Sequence, residues 1–425
     1  MPSSGTSRAR ARRVRRAVDR AAVALVLTLP TLGVIGAAWS AWSGDTLETV
    51  NLVVFVVLWA STLFAIEAGY HRYFSHRAFR ATPAFEYALA LLGSMAFQGP
   101  VIWWAAMHRR HHEHSDQPGD PHSPHLRGTG HVGALAGLWD AHMGWLFAEV
   151  DSISRKSTWA RYVPDLLDNP RIWSLHRHYL RLLVLGISLP AVVGGLATWS
   201  WHGAWMGFLW GGLVRVFLVN HAIWAVNSIC HVYGRRPFAL HARDRSTNNA
   251  WVAAISFGAG WHHNHHTFPG SATTSMRPSQ IDVSGLALAA FARLGWVSDL
   301  RTPPDHASEV GWARRVELEL DFEGRRLAGS LAGLSLRQTF VELDDGTPSA
   351  LGPGARVELV ELVVAEAGRR GKPASLAALD GLTAEVERVG FQGAWLRFDS
   401  PSPEALAALG RLRARAALDE PEPSR

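Results

Sequence analysis

Two rhythms of apolar and polar positions run along this chain. Up to about residue 300 the apolar residues come in long blocks. A bilayer-crossing helix needs roughly 20 mostly apolar residues, and four stretches qualify: 21–42, 50–66, 182–201 and 204–226. Only His202 and Gly203 separate the last two, which predicts a tight hairpin. Residues 87–97 are apolar but too short to cross, and read as re-entrant or interfacial. Residues 284–296 are also short and read as lying along the interface. After "RTPPDH" (301–306) the rhythm changes. Val316, Leu318, Leu320 and Phe322 alternate with Glu317, Glu319 and Asp321, a strand period. Similar runs at 339–343, 356–364, 382–389 and 394–398 predict a small soluble β-barrel or sandwich. A last helix is expected, with Ser402 as N-cap and Pro403 at its first position.

The division that follows is a basic cytosolic N-terminal tail (1–20), a membrane domain (21–304), a soluble β-rich domain (305–418) and a disordered tail (419–425). The basic run "SRARARRVRR" abuts the first apolar block, as membrane-flanking charge does. It therefore speaks for a cytoplasmic N-terminus and against a nucleic-acid arm. The block continues past any secretory cleavage pattern. Four crossings then return 67–181 and everything after Asn227 to that same side. Composition adds 19 Trp against 6 Tyr, suited to rings at a lipid–water boundary, and a single cysteine, Cys230, which excludes an internal disulfide.

The two segments on that shared side carry the histidines. "HRYFSH" holds His71 and His76, "HRRHH" holds His108, His111 and His112, and "HHNHH" holds His262, His263, His265 and His266. Spacings of three and four residues put His108, His111 and His112 on one helical face. His262, His265 and His266 repeat that spacing, and His263 then projects elsewhere. Asn227 and His231 stand one helical turn apart beyond the fourth block. Eight or more imidazoles on one membrane face point to a metal site. They exceed the four ligands of one tetrahedral ion, so two metals are expected. Nitrogen-rich sites with open positions suit iron that handles oxygen. No Asp or Glu sits inside the three clusters as a bridging ligand.

"HRYFSH", "QGPVIWWAAMHRRHH", "SDQPGDPHSP", "WAVNSICHVYG" and "GAGWHHNHHTFP", in this order, resemble the integral-membrane acyl-lipid desaturases of the stearoyl-CoA Δ9 type over residues 45–300. The resemblance implies an all-α integral-membrane fold of four transmembrane helices, with a cytosolic helical cap holding a di-iron centre. It implies nine ligands, His71, His76, His108, His111, His112, His231, His262, His265 and His266, with Asn227 reaching one metal through water. His263 falls on a variable position of the third box. Ala259 stands where the family often has Glu. The implied reaction uses O2 and two external electrons to place a cis double bond, at Δ9, in an acyl chain bent within a narrow tunnel. Gln98, Trp104 and Trp224 match positions lining that tunnel. The acyl group would be carried as a CoA thioester, on a carrier protein or in a phospholipid, within a bacterial-type inner membrane. The electrons would come from a partner such as a ferredoxin or a flavin reductase. No haem-attachment, ferredoxin-type or flavin-binding segment is evident in the chain, and "GTGHVG" (128–133) lacks the preceding strand of a dinucleotide fingerprint. A membrane hydroxylase, or a non-catalytic metal- or nucleotide-sensing membrane protein, are the alternatives.

Residues 312–417 are similar in layout to PilZ domains, which bind cyclic di-GMP. The binding signature is degraded: of it only Ser335 stands among Gly333, Ser335 and Gln338, and Arg314 and Arg315 are the sole candidates for the upstream arginines. A non-binding module is expected. Among other residues, Arg109 and Arg110 are expected on the far side of their helix, facing a headgroup or water. "DQPGDPH" (116–122) reads as a turn-rich element around the boxes, Arg215 as facing the bundle or snorkelling, His221 as packed, and Cys230 as a small buried neighbour of His231.

Overall fold

The computed structural model describes residues 4–153, 155–238, 244–303, 315–323, 325–334, 338–343, 355–366, 369–371, 382–389, 393–399 and 401–405. Four helices are long and apolar enough to cross a membrane: Arg20–Trp42, Thr49–Ser75, Tyr179–Thr198 and Trp201–His231. The first lies within α1 (Ser4–Trp42), which also takes in the basic N-terminal stretch. The second is α2 (Thr49–Phe64), continued by a π-helical stretch, Ala65–Ser75. It overruns the expected end at residue 66. The polar residues that end the apolar run, Glu67, His71 and Arg72, are buried and paired with one another, so the helix has no reason to stop.

Between the second and third spans comes a helical cap. It comprises β1 (Arg80–Ala81), α3 (Pro83–Ser94), α4 (Val101–His114), α5 (Gly130–Trp139), a π turn at Asp140–Gly144, α6 (Trp145–Ile153), α7 (Lys156–Trp159), a 3-10 turn at Ala160–Tyr162, α8 (Pro164–Leu167) and α9 (Pro170–Arg177). The short apolar run around residue 90 is α3, capped by Thr82 and packed on the π stretch of the second span. The third span is α10 (Tyr179–Thr198). The fourth is α11 (Trp201–Met206), a π stretch at Gly207–Val214, α12 (Arg215–Ser228) and a 3-10 turn at Ile229–His231.

The hairpin between these two spans turns earlier than the sequence suggested. Trp199 takes a left-handed φ of 50° and Ser200 caps the next helix by accepting the Gly203 N–H at 2.9 Å. His202 and Gly203 are therefore helical; cap chemistry, not apolarity, sets the turn. The two spans then lie close. At Gly207 any side chain would run into the Pro190 carbonyl, the small-residue contact typical of membrane helix pairs.

After the fourth span come α13 (Ala250–Ile255), α14 (His262–Thr267), α15 (Val283–Arg293) and β2 (Val297–Ser298), which pairs with β1. α15 leaves Leu286 exposed, as an interfacial helix does. Arg215 is fully buried and faces the bundle. Its Nε donates to the Gly211 carbonyl at 2.8 Å, and its Nη1 and Nη2 donate to those of Met95 and Gly186, each at 2.9 Å. It thereby ties the fourth span to the third and to the turn after α3. It has no ion pair among the described residues.

The C-terminal part is β3 (Arg315–Phe322), β4 (Arg325–Leu334), β5 (Gln338–Leu343), β6 (Arg356–Glu366), β7 (Arg369–Gly371), β8 (Leu382–Val389) and β9 (Gly393–Phe398). All pairings are antiparallel in the order β3-β4-β5-β9-β8-β6-β7, with β3 also pairing to β6. The five expected strands are present. β4 and β7 were not expected: "RRLAGSLAGL" has no clean alternation and "RRG" is too short to show one. Ser402 accepts the Ala405 N–H at 3.1 Å, the expected cap. The rest of that helix, Arg314, Ser335 and the tail 419–425 lie outside the described residues.

We predict that Arg215→Leu leaves three buried carbonyls without donors, at a cost of about 1–3 kcal/mol each. Thermal aggregation of the detergent-purified protein should shift clearly downward, and Arg215→Lys, with its single nitrogen, should fall between.

Candidate metal centre

Four separate elements deliver the imidazoles. The π stretch of the second span brings His71, and His76 caps its end. α4 brings His108, His111 and His112; the end of the fourth span brings His231; α14 brings His262, His265 and His266. Their donor atoms fall into two groups, each within 4.8 Å: His71, His76, His108, His112 and His265 in one, and His111, His231, His262 and His266 in the other. In the first, His71 Nε2 faces His265 Nε2 at 2.9 Å, His76 Nε2 faces His108 Nε2 at 2.7 Å, and His112 Nε2 lies 3.0 Å from His108 and 2.9 Å from His265. In the second, His231 Nε2 faces His262 Nε2 at 3.0 Å, and His111 faces His266 at 3.3 Å. The structure thus brings together all nine rings singled out in the sequence.

His263 points away. Its Nε2 donates to the Phe238 carbonyl at 2.8 Å and its Nδ1 meets the Ser246 hydroxyl at 3.1 Å. This is why four histidines crowd one short helix: three face the centre and the fourth pins α14 from behind.

Carboxylates stand behind four of the rings. Glu67 Oε2 accepts from His71 Nδ1 at 3.0 Å, Asp120 from His111 Nδ1 at 3.0 Å, Asp116 from His231 Nδ1 at 2.9 Å, and Asp244 from His266 Nδ1 at 2.5 Å. Claiming the Nδ1 proton fixes the tautomer and leaves the Nε2 lone pair facing inward. Against burial, which alone would raise them, the adjacent imidazoles hold the Asp116, Asp120 and Asp244 carboxyls below their usual range. Burial first, then neighbouring imidazoles, push His76, His108, His112, His262 and His265 well below the ordinary imidazole value, so these rings are neutral.

The residues fit a pair of metal cations. His111 and His266 both have Nδ1 claimed by a carboxylate, and their Nε2 atoms still face each other at 3.3 Å. A cation between converging lone pairs removes that repulsion. The charges point the same way. Glu67, Asp116, Asp120 and Asp244 are buried behind the rings, and among the described residues only Glu67 of these four meets an arginine side chain, Arg72 at 2.7 Å.

Sequence reading missed these carboxylates because they lie outside the boxes. Glu67, one helical turn before His71, and the acids of "SDQPGDPH" carried a signal; Asp244 carried none. The loop 116–122 does wrap the boxes, as expected. Arg109 and Arg110 do not face open water. Arg109 bonds Asp165 at 2.6 Å and the Ser75 carbonyl at 2.8 Å, tying α4 to the second span, and Arg110 bonds Glu149 at 3.0 Å. His221 pairs with His142 at 2.9 Å, and Cys230 is buried.

Beside the first group is a cavity lined by Gln98, Trp104, Met107, His108, His122, Trp145, Ile223 and Asn227. Gln98, Trp104 and Asn227 were singled out from the sequence; His122 was not. Gln98 is held by Asn220 at 2.8 Å, and Trp104 stacks on His108 with ring centres 5.2 Å apart. Trp224 is not part of this lining. It is buried against His142 and His221, and its Nε1 has no partner among the described residues.

Residues 48–278 match the family model described as fatty acid desaturase. The chain belongs to the fatty acid desaturase family. It is 43% identical over 248 residues to a hex-5-enoyl-[acyl-carrier protein] acetylenase of Moorena producens, covering 58% of this chain and 75% of that one. It is 35% identical to a palmitoyl-monogalactosyldiacylglycerol delta-7 desaturase of Arabidopsis thaliana, covering 60% and 62%. It is 33% identical to an sn-2 palmitoyl-lipid 9-desaturase of a Nostoc species, covering 61% and 84%. This desaturase is a membrane protein and an oxidoreductase acting on acyl chains.

Removing the carboxylate behind a ligand typically costs 10–100-fold in metal affinity. Asp120→Asn and Asp244→Asn should therefore lose metal to a chelator at concentrations 10–100-fold lower than wild type, read by metal content after dialysis. His263→Ala should keep its full metal content.

Proposed function

We propose that the chain is a membrane acyl desaturase whose nine imidazoles hold two iron ions, His71, His76, His108, His112 and His265 around one and His111, His231, His262 and His266 around the other, with Asn227 reaching one through water. The reading rests on the convergence of five and four imidazoles from separate helices, in a chain of this family. The overall change is –CH2–CH2– plus O2, two electrons and two protons, giving –CH=CH– and two waters. Two irons so held would supply the oxidant that an unactivated C–H bond demands, beyond the reach of any side-chain acid or base.

The protein's own residues position the chain and keep water out. Trp104, stacked on His108, sets how near an acyl carbon comes to the centre. Gln98, fixed by Asn220, meets the chain in the same cavity, and Trp224 is kept as a tunnel residue beyond that lining. The product is taken to be cis, with the double bond at carbon 9, the position in the name of the Nostoc relative. The acyl carrier is a phospholipid, CoA or carrier protein; the relatives' names span lipid and carrier-protein esters. Two electrons arrive from an external donor such as a ferredoxin or flavin reductase. The membrane is a bacterial-type inner membrane with both termini cytoplasmic, in keeping with the basic start of α1. The domain limits are 21–304 for the desaturase and 305–418 for the C-terminal domain. The latter is proposed as a PilZ-like barrel, which the β3–β6 pairing supports, and as one that does not bind cyclic di-GMP, which the degraded signature supports.

Expressed in a desaturase-deficient cell, the chain should add a new mono-unsaturated acyl species, with its double-bond position read by gas chromatography and mass spectrometry. His265→Ala should abolish that species while the protein still accumulates in the membrane. A wild type without new unsaturation, or a variant that retains it, contradicts the reading.

A further inference from the structure

The two electrons that each proposed turnover consumes must reach the centre across the protein's surface. Between Arg155 and Arg181 the sequence places six Arg or Lys residues (155, 156, 161, 171, 177 and 181) against two acids, Asp165 and Asp168. All six are exposed. Asp165 is already taken, by Arg109 at 2.6 Å and Arg77 at 2.7 Å. Arg161 reaches Glu113 only at 3.4 Å, and Arg171, Arg177 and Arg181 have no acidic partner among the described residues. Arg177 and Arg181 sit at the start of the third span, where membrane-flanking charge is ordinary. Lys156, Arg161 and Arg171 lie farther back, on α7, the 3-10 turn and α9.

Beneath two of these charges, Lys156 and Arg161, lie aromatic rings. Lys156 Nζ lies 5.2 Å over the Trp173 ring. Trp173 stacks on His176 with centres 5.3 Å apart, and His176 meets the buried Trp159 ring, also at 5.3 Å. Arg161 covers the ring of Tyr162, itself buried. α7, the 3-10 turn and α9 all pack on α4, the helix that carries His108, His111 and His112. A positively charged face thus stands over π-systems that lead inward to the helix holding a third of the imidazoles.

We propose that this face, centred on Lys156, Arg161 and Arg171, docks an acidic one-electron carrier protein. The assignment rests on the desaturase reading and names the partner of the same centre. Each encounter passes one electron inward, and the carrier leaves oxidised; two encounters supply the pair that one turnover consumes. Complementary charge steers such encounters and makes them salt-dependent.

The test uses the full-length protein in nanodiscs, with a small acidic [2Fe–2S] ferredoxin kept reduced as the carrier. In the Lys156→Glu/Arg161→Glu/Arg171→Glu variant, the carrier concentration for half-maximal product formation should rise at least 10-fold. The wild-type value should rise with salt and the variant's should not. Single-turnover product from dithionite-reduced protein, which bypasses the carrier, should be unchanged. An unchanged carrier dependence overturns the proposal. So does an equal loss of dithionite-driven product, which marks a structural role, or a loss confined to binding of anionic phosphatidylglycerol vesicles, which marks a lipid contact. Wild-type protein that yields no product even with dithionite sinks the desaturase reading, and the docking face with it.

Discussion

Buried carboxylates aimed at the backs of imidazole rings are the constraint on which this structure turns. Glu67, Asp116, Asp120 and Asp244 each accept a hydrogen bond from Nδ1 and so turn the opposite nitrogen, Nε2, of His71, His231, His111 and His266 toward its neighbours. Burying four such charges is costly unless positive charge sits close by. The arrangement therefore favours cations between the rings, and the supporting contacts hold that geometry in place. Arg72 crosses from Glu67 to Asp282, the cap of α15, and so couples one ligand's orientation to the last helix of the membrane domain. Arg109 does the same for α4, joining it to the second span and to Asp165.

The bilayer sets where this holder can sit. Of the four helices long and apolar enough to cross, the second and fourth extend past the apolar block to deliver His71 and His231 directly. Both carry π-helical stretches, which shift the side-chain register within an otherwise regular helix. A rigid helix ending in a ligand is a more exact positioning device than a loop. The cavity lined by Trp104 and His108 lies against the same face of α4, with those two stacked rings one turn apart.

Much of this was legible in the residues. Apolar block length gave the first, third and fourth spans to within a few positions, because the bilayer's thickness is a simple ruler. Histidine spacing gave the ligand faces, and singled out His263 as the one turned away. What escaped was whatever depends on partners distant in sequence. Asp244 carries no local pattern, His122 looked like loop polarity until it lined a cavity, and Arg110 needed Glu149 to be explained. The extension of the second span escaped for the same reason: a buried Glu–His–Arg set reads as polar, although in the fold it is neutralised. The hairpin turn was misplaced because Ser200, a capping side chain, decided it over hydropathy.

The central claim is that two cations lie in two separate imidazole cages. Anomalous diffraction at the iron edge from crystals of the iron-loaded protein tests it most directly. The account predicts two peaks per chain, one amid His71, His76, His108, His112 and His265, the other amid His111, His231, His262 and His266. A single peak, or one centred on His122 and Asp120 instead, would contradict it.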